Sequence, residues 1–374
     1  MSAEPALIAK RRLGRISRVV VKVGSGVIAR GGRLRKRVVE DLAHDVTALR
    51  HQGVDVVMVV SGAVAAGFEP LGMTCAPSSV VERQAAASVG QHRLMAVFAQ
   101  AFGRHGLQVA QLLMTAEDVE DRRRFLSARH TLQMLLRHGV VPIINENDAI
   151  SDDETKVGDN DHLAALVTNL ASAHLLVILS RVKGLHRNGN DEVISQVDVG
   201  SSVAEHITAE LSETGVGGMA AKVSAANLAG QGGVPTVIAE GGRPGVLQQI
   251  LAGDEIGTLF VPRESKLSAR KRWIAVRSRS MGVIRVDREA AAALVQGSAS
   301  LMPAGIRSVQ GRFEMGDRVE IKNEKGKTIA VGLVSYRSDE IKRLQGKART
   351  EYTDVLGYEY VKEIVDRDDM VLME

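Results

Sequence analysis

The chain has 374 residues, 45% hydrophobic, 25% charged and 3% aromatic, with a formal net charge of +4. Those proportions exclude disordered, collagen-like and coiled-coil chains, and the length suits two domains, each with a core of its own. One cysteine, Cys75, excludes a disulfide framework; with no evident partner it is read as a packing residue. No apolar run approaches the ~20 residues of a membrane span. The basic start (Lys10, Arg11, Arg12, Arg15, Arg18) precedes no long apolar segment of the secretory kind. A cytoplasmic protein without a membrane partner is expected. With so few aromatics, Ala, Val, Leu and Gly must fill the core, which suits a β/α protein with closely packed helices.

In chain order, Arg18–Val23 is a β-branched run and reads as a first strand. Val38, Val39, Leu42, Val46 and Leu49 recur at helical spacing up to Gly53, and Val54–Val60 is a second buried strand. Gln84–Phe102 reads as a helix, Gln108–Leu113 as a strand and Arg122–Arg137 as a helix stopped at Gly139. Val140–Ile144 is a strand that runs into Asn145-Glu146-Asn147-Asp148. Then come a helix at His162–Asn169, a strand at Leu175–Leu179, a helix at Met219–Ala229 and a strand at Thr236–Ala239. Alternation of this kind predicts an α/β fold, a mainly parallel sheet between helix layers. Ligands of such sheets bind outside the carboxyl ends of the strands.

The pattern breaks near residue 262. Residues 1–262 are expected to form the α/β domain, 263–270 a polar linker, and 271–374 a small β-rich domain with strands at Gly282–Val286, Arg318–Ile321 and Ala330–Ser335. Lys271–Arg349 holds 17 basic and 8 acidic residues, while Thr350–Glu374 holds 2 basic and 8 acidic. A solvated surface is the ordinary reading of that asymmetry.

Polar or glycine-rich clusters follow four of the strands: Lys22-Val23-Gly24-Ser25-Gly26, Ser61-Gly62-Ala63, Asn145–Asp148, and Ser180-Arg181-Val182-Lys183-Gly184. One such loop is an ordinary βα turn; four at strand carboxyl ends outline a site. Gly24 and Gly26 let backbone N–H groups approach an anion beside Lys22. Gly215-Val216-Gly217-Gly218 precedes a helix with Lys222 one turn inside it, a natural phosphate site. A flexible loop with a glycine cap explains the same spacing. Neither loop matches a P-loop or a dinucleotide fingerprint. Asp159-Asn160-Asp161, after Gly158, begins a helix. One of these residues serves as an N-cap, but that leaves the others, with Asp148, to bind an ammonium group, orient lysines or hold Mg²⁺. No histidine spacing marks a metal site, and Arg122-Arg123-Arg124 reads as a solvated helix face. Two lysines, glycine loops and an organising aspartate supply what phosphoryl transfer requires, namely positioning and positive charge. The residues alone therefore point to an ATP-dependent kinase of a small polar substrate.

At these motifs the chain resembles the glutamate 5-kinase family. The resemblance is carried by Val20–Gly24, Val60-Ser61-Gly62-Ala63-Val64-Ala65-Ala66-Gly67, Gln84–Gly90, Ile143–Asp148, Lys156-Val157-Gly158-Asp159-Asn160-Asp161, Gly217-Gly218-Met219 and Leu356-Gly357-Tyr358-Glu359-Tyr360. It is collinear over nearly the whole chain, and residues 271–374 resemble a PUA domain. The resemblance implies an amino-acid kinase fold and transfer of the ATP γ-phosphoryl group to the side-chain carboxylate of L-glutamate, the first step of proline synthesis. It further implies Mg²⁺ arriving with ATP, proline as feedback inhibitor, and a homo-oligomer, dimer or tetramer. By motif, Lys22, Lys222 and Asp161 would be catalytic, and Ser61, Asp148 and Asn160 would hold glutamate. Lys22, Gly24, Ser180, Arg181, Gly217, Gly218, Met219 and Lys222 would border the nucleotide.

The departures cluster at the nucleotide side. Ser180-Arg181 stands where the family has Thr-Asp, Gly26 where a serine is common, and Val216 and Ala221 where it has threonines. An active enzyme with a weakened or altered nucleotide site is therefore expected. Two other readings compete with this one. The first is a catalytically impaired relative that acts as a regulator or RNA-binding protein through residues 271–374. The second is a kinase for another carboxylate or a carbamate, against which the Asn145–Asp148 and Gly158–Asp161 motifs speak.

Overall fold

The structure, a computed structural model, describes residues 10–150, 159–187, 192–199, 218–262, 280–296, 299–357 and 363–373. The expected linker at 263–270, and with it Lys156 to Gly158, Gly215 to Gly217, Trp273 and Tyr358 to Tyr360, lies outside the described residues. Contacts divide the chain into two compact units, Met1–Glu264 and Ser265–Glu374.

The first unit begins with strand β1 (Arg18–Val23), the single turn α1 (Ser25–Ile28), the short pair β2 (Ala29–Arg30) and β3 (Arg33–Leu34), and helix α2 (Lys36–His51). Gly31 and Gly32 join β2 to β3 with φ of 55° and 78°, the backbone that a two-residue hairpin requires and glycine tolerates. Next come β4 (Asp55–Val60), α3 (Ala63–Gly67), α4 (Val80–Gly103), β5 (Val109–Met114), α5 (Ala116–Glu120), α6 (Arg122–Arg137) and β6 (Val141–Glu146). They are followed by α7 (Asp159–Leu170), β7 (Leu175–Ser180), β8 (Gln196–Asp198), α8 (Met219–Gln231), β9 (Thr236–Glu240), α9 (Val246–Leu251) and β10 (Thr258–Val261). The strands form one eight-stranded sheet in the order β5-β6-β4-β1-β7-β9-β10-β8. Neighbours are parallel except β9 and β10.

Strand parity decides which layer each side chain enters, because successive residues face opposite sides of a sheet. Val19, Val21 and Val23 join the core built with α2 and α4 through Leu42, Val46, Phe98 and Phe102. Val20 joins the other core, with Leu163 and Val167 of α7 and Val223 and Ala226 of α8. Lys22 shares the parity of Val20, so the pleat directs it to the layer of α7 and α8. Burial on both faces is why these strands read as continuous valine runs instead of alternating ones.

Several boundaries differ from expectation for identifiable reasons. α4 starts at Val80, ahead of Gln84, because Ser79 and Glu82 form a capping box. β6 continues past Ile144 and takes Asn145 and Glu146 into the sheet, both buried. α7 starts at Asp159, so Asp159–Asp161 form its first turn and none of them precedes the helix as a cap. Cys75 is exposed, which overturns its reading as a packing residue. Arg124 is exposed as expected and pairs with Asp118 at 2.6 Å.

The glycines of two motifs have a packing role. α3 and α4 cross backbone to backbone: a methyl group on Gly67 would lie 1.8 Å from the Ala86 carbonyl oxygen, and one on Gly90 1.8 Å from that of Ala63. No side chain fits at either position.

The second unit holds β11 (Gly282–Val286), α10 (Arg288–Val295), β12 (Ile306–Gly311), β13 (Arg318–Lys322), β14 (Thr328–Leu333), α11 (Ser338–Leu344), α12 (Tyr352–Leu356) and β15 (Met370–Leu372). Its sheet runs β12-β11-β13-β14-β15, parallel between β11 and β13 and antiparallel elsewhere. Ile284, Val286, Phe313, Val319, Ile321, Tyr336 and Tyr352 fill its core. The unit is β-rich as expected, although the strand expected at Ala330–Ser335 lies two residues earlier and three short helices accompany the sheet.

Candidate active site

Three charged side chains meet where β1, α7 and α8 converge. Lys22 Nζ lies 2.6 Å from Asp161 Oδ1, and Lys222 Nζ donates to Asp161 Oδ2 at 3.2 Å. Lys22 is 6% exposed, Lys222 7% and Asp161 0%. Lys22 comes from the end of the central strand, while Asp161 and Lys222 occupy the first turns of their helices. Burial pushes the Lys22 pKa down; the Asp161 carboxylate opposes that, and the nearby Lys222 charge adds to it. Two buried ammonium groups share one carboxylate, which gathers positive charge at the strand ends, where an anion can meet it.

The glycine loop flanks this cluster. Gly24 N–H donates to the Leu179 carbonyl oxygen at 3.0 Å, and Ser61 N–H to that of Val23 at 3.0 Å. These bonds tie the ends of β1, β4 and β7 together. The Lys22 ammonium lies 3.8 Å from where a Gly24 Cβ would stand, so it curls under the loop. Arg181 lies along the same loop: a Cβ on Gly26 would meet its Nε at 2.8 Å and its Cδ at 2.9 Å. Gly26 thus makes room for Arg181, which is exposed. Ser180 is buried; its Oγ accepts from Val182 N–H at 3.1 Å, and its carbonyl accepts from Gly241 N–H at 2.7 Å. Gly218 precedes α8 without a side-chain cap, and its carbonyl oxygen accepts from the Ala221 N–H at 3.2 Å. Gly62 has φ 115° at the turn into α3, a conformation suited to glycine.

A second, uncharged cluster lies toward β6. Glu146 N–H donates to Asn160 Oδ1 at 3.2 Å, and Asn160 Nδ2 donates to Asn145 Oδ1 at 3.1 Å. Asn145, 1% exposed, joins the site from inside β6, where a strand ending at Ile144 would not have placed it. The repeated polar positions of Asn145–Asp148 were the available signal. Next to it, Asp148 lines a cavity of about 320 Å³ with Ala63, Ser88, Gln111, Glu146 and others. Burial raises the Asp148 pKa to about 6, against the pull of Arg83. Among the described residues no group of three or more His, Cys, Asp or Glu side chains could share a metal ion.

Strands whose carboxyl ends carry glycine loops and two lysines on one aspartate define a phosphoryl-transfer enzyme of the α/β class. Residues 17–240 match the profile of the amino acid kinase family, and residues 282–356 that of the PUA domain. The chain is 45% identical over 368 residues to the glutamate 5-kinase of Trichlorobacter lovleyi, spanning 96% of this chain and 98% of the relative. It is 43% identical to that of Syntrophotalea carbinolica (97% and 99% covered) and 42% identical to that of Thermus thermophilus (99% of both). The chain belongs to the amino acid kinase family, in its glutamate 5-kinase branch.

Proposed function

We propose that the chain transfers the γ-phosphoryl group of ATP to the side-chain carboxylate of L-glutamate, giving L-glutamyl 5-phosphate, the first step of proline biosynthesis. The observation that carries this reading is the buried Lys22–Asp161–Lys222 cluster, two lysines brought together on one aspartate at the strand ends. A carboxylate oxygen is already ionised at neutral pH, so no general base is needed. The new bond forms between that oxygen and Pγ, the bond from Pγ to the bridging oxygen breaks, and ADP leaves with the electron pair. The protein's task is alignment and charge neutralisation. In this reading Lys22 and Lys222 hold the transferring group and Asp161 sets their positions. The Gly24 loop, Ser180, Arg181 and residues Gly217 to Lys222 border the nucleotide. Ser61, Asp148 and Asn160 hold glutamate, Asp148 taking the ammonium group. Mg²⁺ would arrive with ATP and would supply further positive charge at the phosphates.

Feedback inhibition by proline, a homo-oligomer and a cytoplasmic location belong to the same reading; no described helix is long and apolar enough to cross a membrane. Two features of the second unit weigh against an RNA-binding regulator. Its described aromatics Phe313, Tyr336 and Tyr352 are buried and not presented for base stacking. Several of its cations are paired, as in Lys322–Glu320, Arg337–Glu340 and Lys347–Glu351. Hydroxamate trapping with L-glutamate, MgATP and hydroxylamine tests the activity. Product that vanishes in Lys222→Ala supports the proposal, and a folded, glutamate-binding protein that forms none overturns it.

A further inference from the structure

Gln91 follows the Gln84–Gly90 motif directly, and nothing above gives it a role. Its Oε1 accepts from Asn145 Nδ2 at 2.8 Å. With the two bonds already described, this makes a chain of three amides running from the Glu146 backbone to Gln91. The chain has a direction. A backbone N–H can only donate, so Asn160 must turn its oxygen to Glu146 and its nitrogen to Asn145. Asn145 must then accept through oxygen and present its own nitrogen to Gln91. Gln91 accepts in turn, so its Nε2 is left at the open end. That nitrogen is shielded from solvent and has no hydrogen-bond partner among the described residues. A buried donor without an acceptor is unfavourable, and native structures seldom leave one without a purpose. Gln91 lines the cavity that holds Asp148 and Glu146, and the Gly67–Gly90 crossing fixes the helix beside it.

We propose that Gln91 is a substrate-binding residue whose Nε2 donates to the α-carboxylate of the amino-acid substrate. The inference rests on the glutamate kinase reading and adds to it a specificity contact. The choice of carboxylate follows from placement. Asn160 immediately precedes Asp161 on α7, so one helical turn carries both the relay and the carboxylate that holds the lysines. The reacting carboxylate belongs with Lys22 at the end of β1 and the Lys222 beside it, and the α end belongs with Asn145 at the end of β6 and the amides that join it. β4 separates those two strands, a distance of roughly 10 Å that an extended five-carbon amino acid and its contacts bridge. Two acidic groups, Glu146 and Asp148, face the same cavity and favour the ammonium group. The α-carboxylate beside it needs a neutral donor already aimed, which the relay supplies.

The test is steady-state kinetics of the full chain and its Gln91→Glu variant, with L-glutamate and with its α-amide, each as substrate or, without turnover, as competitor. Q91E keeps the acceptor for Asn145 and replaces the donor with a second acceptor. The expected result is a glutamate KM raised at least about tenfold, with kcat within about threefold and the ATP KM within about twofold. Preference for glutamate over its α-amide should fall at least about tenfold, because the introduced carboxylate repels an anion and accepts from an amide. A merely structural role would lower activity on both compounds alike, and an unchanged preference in Q91E overturns the assignment. Should Q91E not fold, Gln91→Met serves: it should weaken glutamate more than the α-amide, and equal losses overturn the assignment. A wild-type chain that binds glutamate but does not phosphorylate it overturns the kinase reading; one that phosphorylates it, with preference unmoved in the variants, overturns only the role of Gln91.

Discussion

The lysine cluster and the amide relay share the first turn of α7, yet they are built from opposite materials. On one side Asp161 holds two buried ammonium groups. On the other, Asn160 begins a chain of neutral amides fixed at one end by a backbone N–H. The difference follows the chemistry assigned to each end. Negative charge moves during phosphoryl transfer, so strongly charged donors already held in place are useful there. At the amino-acid end the ligand's charges do not change, and recognition needs only donors and acceptors held in place.

The comparison breaks most clearly at the lysines. Lys22→Ala or Lys222→Ala should lower kcat by roughly 10²–10³-fold, the usual cost of removing one preorganised transition-state donor, while glutamate binding measured by calorimetry stays nearly unchanged. Equal losses in both quantities would dissolve the division between the two ends. Asp148→Asn should do the reverse, raising the glutamate KM about a hundredfold, as loss of one partner of a desolvated charge pair does, with a smaller effect on kcat.

The Asp148 side chain also gives that end a pH signature. Its pKa near 6 means that it protonates as pH falls from 7 to 5, and a neutral acid cannot pair with an ammonium group. Between pH 6 and 5, kcat/KM for glutamate should drop by about fivefold, and the slope should approach about tenfold per unit below that; D148N should flatten that limb. Stability moves the other way. A carboxyl group raised from 3.8 to about 6 binds its proton more readily when folded than when unfolded. Through this group, stability grows as pH falls from about 6 toward 4 and is lost as pH rises. Melting temperature and activity measured across that window should therefore diverge.

Arg181 gives the smallest expected effect. It is an exposed cation lying along Gly26, so solvent screens it. Arg181→Asp should change the ATP KM by a few-fold, roughly, and Gly26→Ser should produce a similar change by displacing the guanidinium. The double variant should show less than the sum of the two changes. Additive effects would mean that the two residues act separately.

Much of this was legible in the residues. Valine runs marked β1 and β4, and helical spacing marked α2, because a sheet buried on both faces forces those patterns. Lys22, Asp161 and Lys222 could each be singled out, but their meeting could not, since strand parity and the convergence of two helices bring them together from distant positions. Asn145 was hidden because polar residues normally end a strand. Here side-chain amides satisfy it inside the sheet. Ser79 with Glu82 three residues on forms the capping box that places the start of α4 four residues ahead of Gln84. The short antiparallel β10 and the short helices of the second unit carry too few periods to announce themselves.

The meeting of Gly67 with Gly90 bears on how such a chain would decay. Even alanine is excluded there by main-chain atoms, so replacing either glycine would forfeit the fold whether or not the enzyme still turned over. Lys22, Asp161 and Lys222 carry no such obligation to packing. A descendant relieved of catalysis would shed its three charges first and keep both glycines, and a descendant that kept the charges would still be an enzyme.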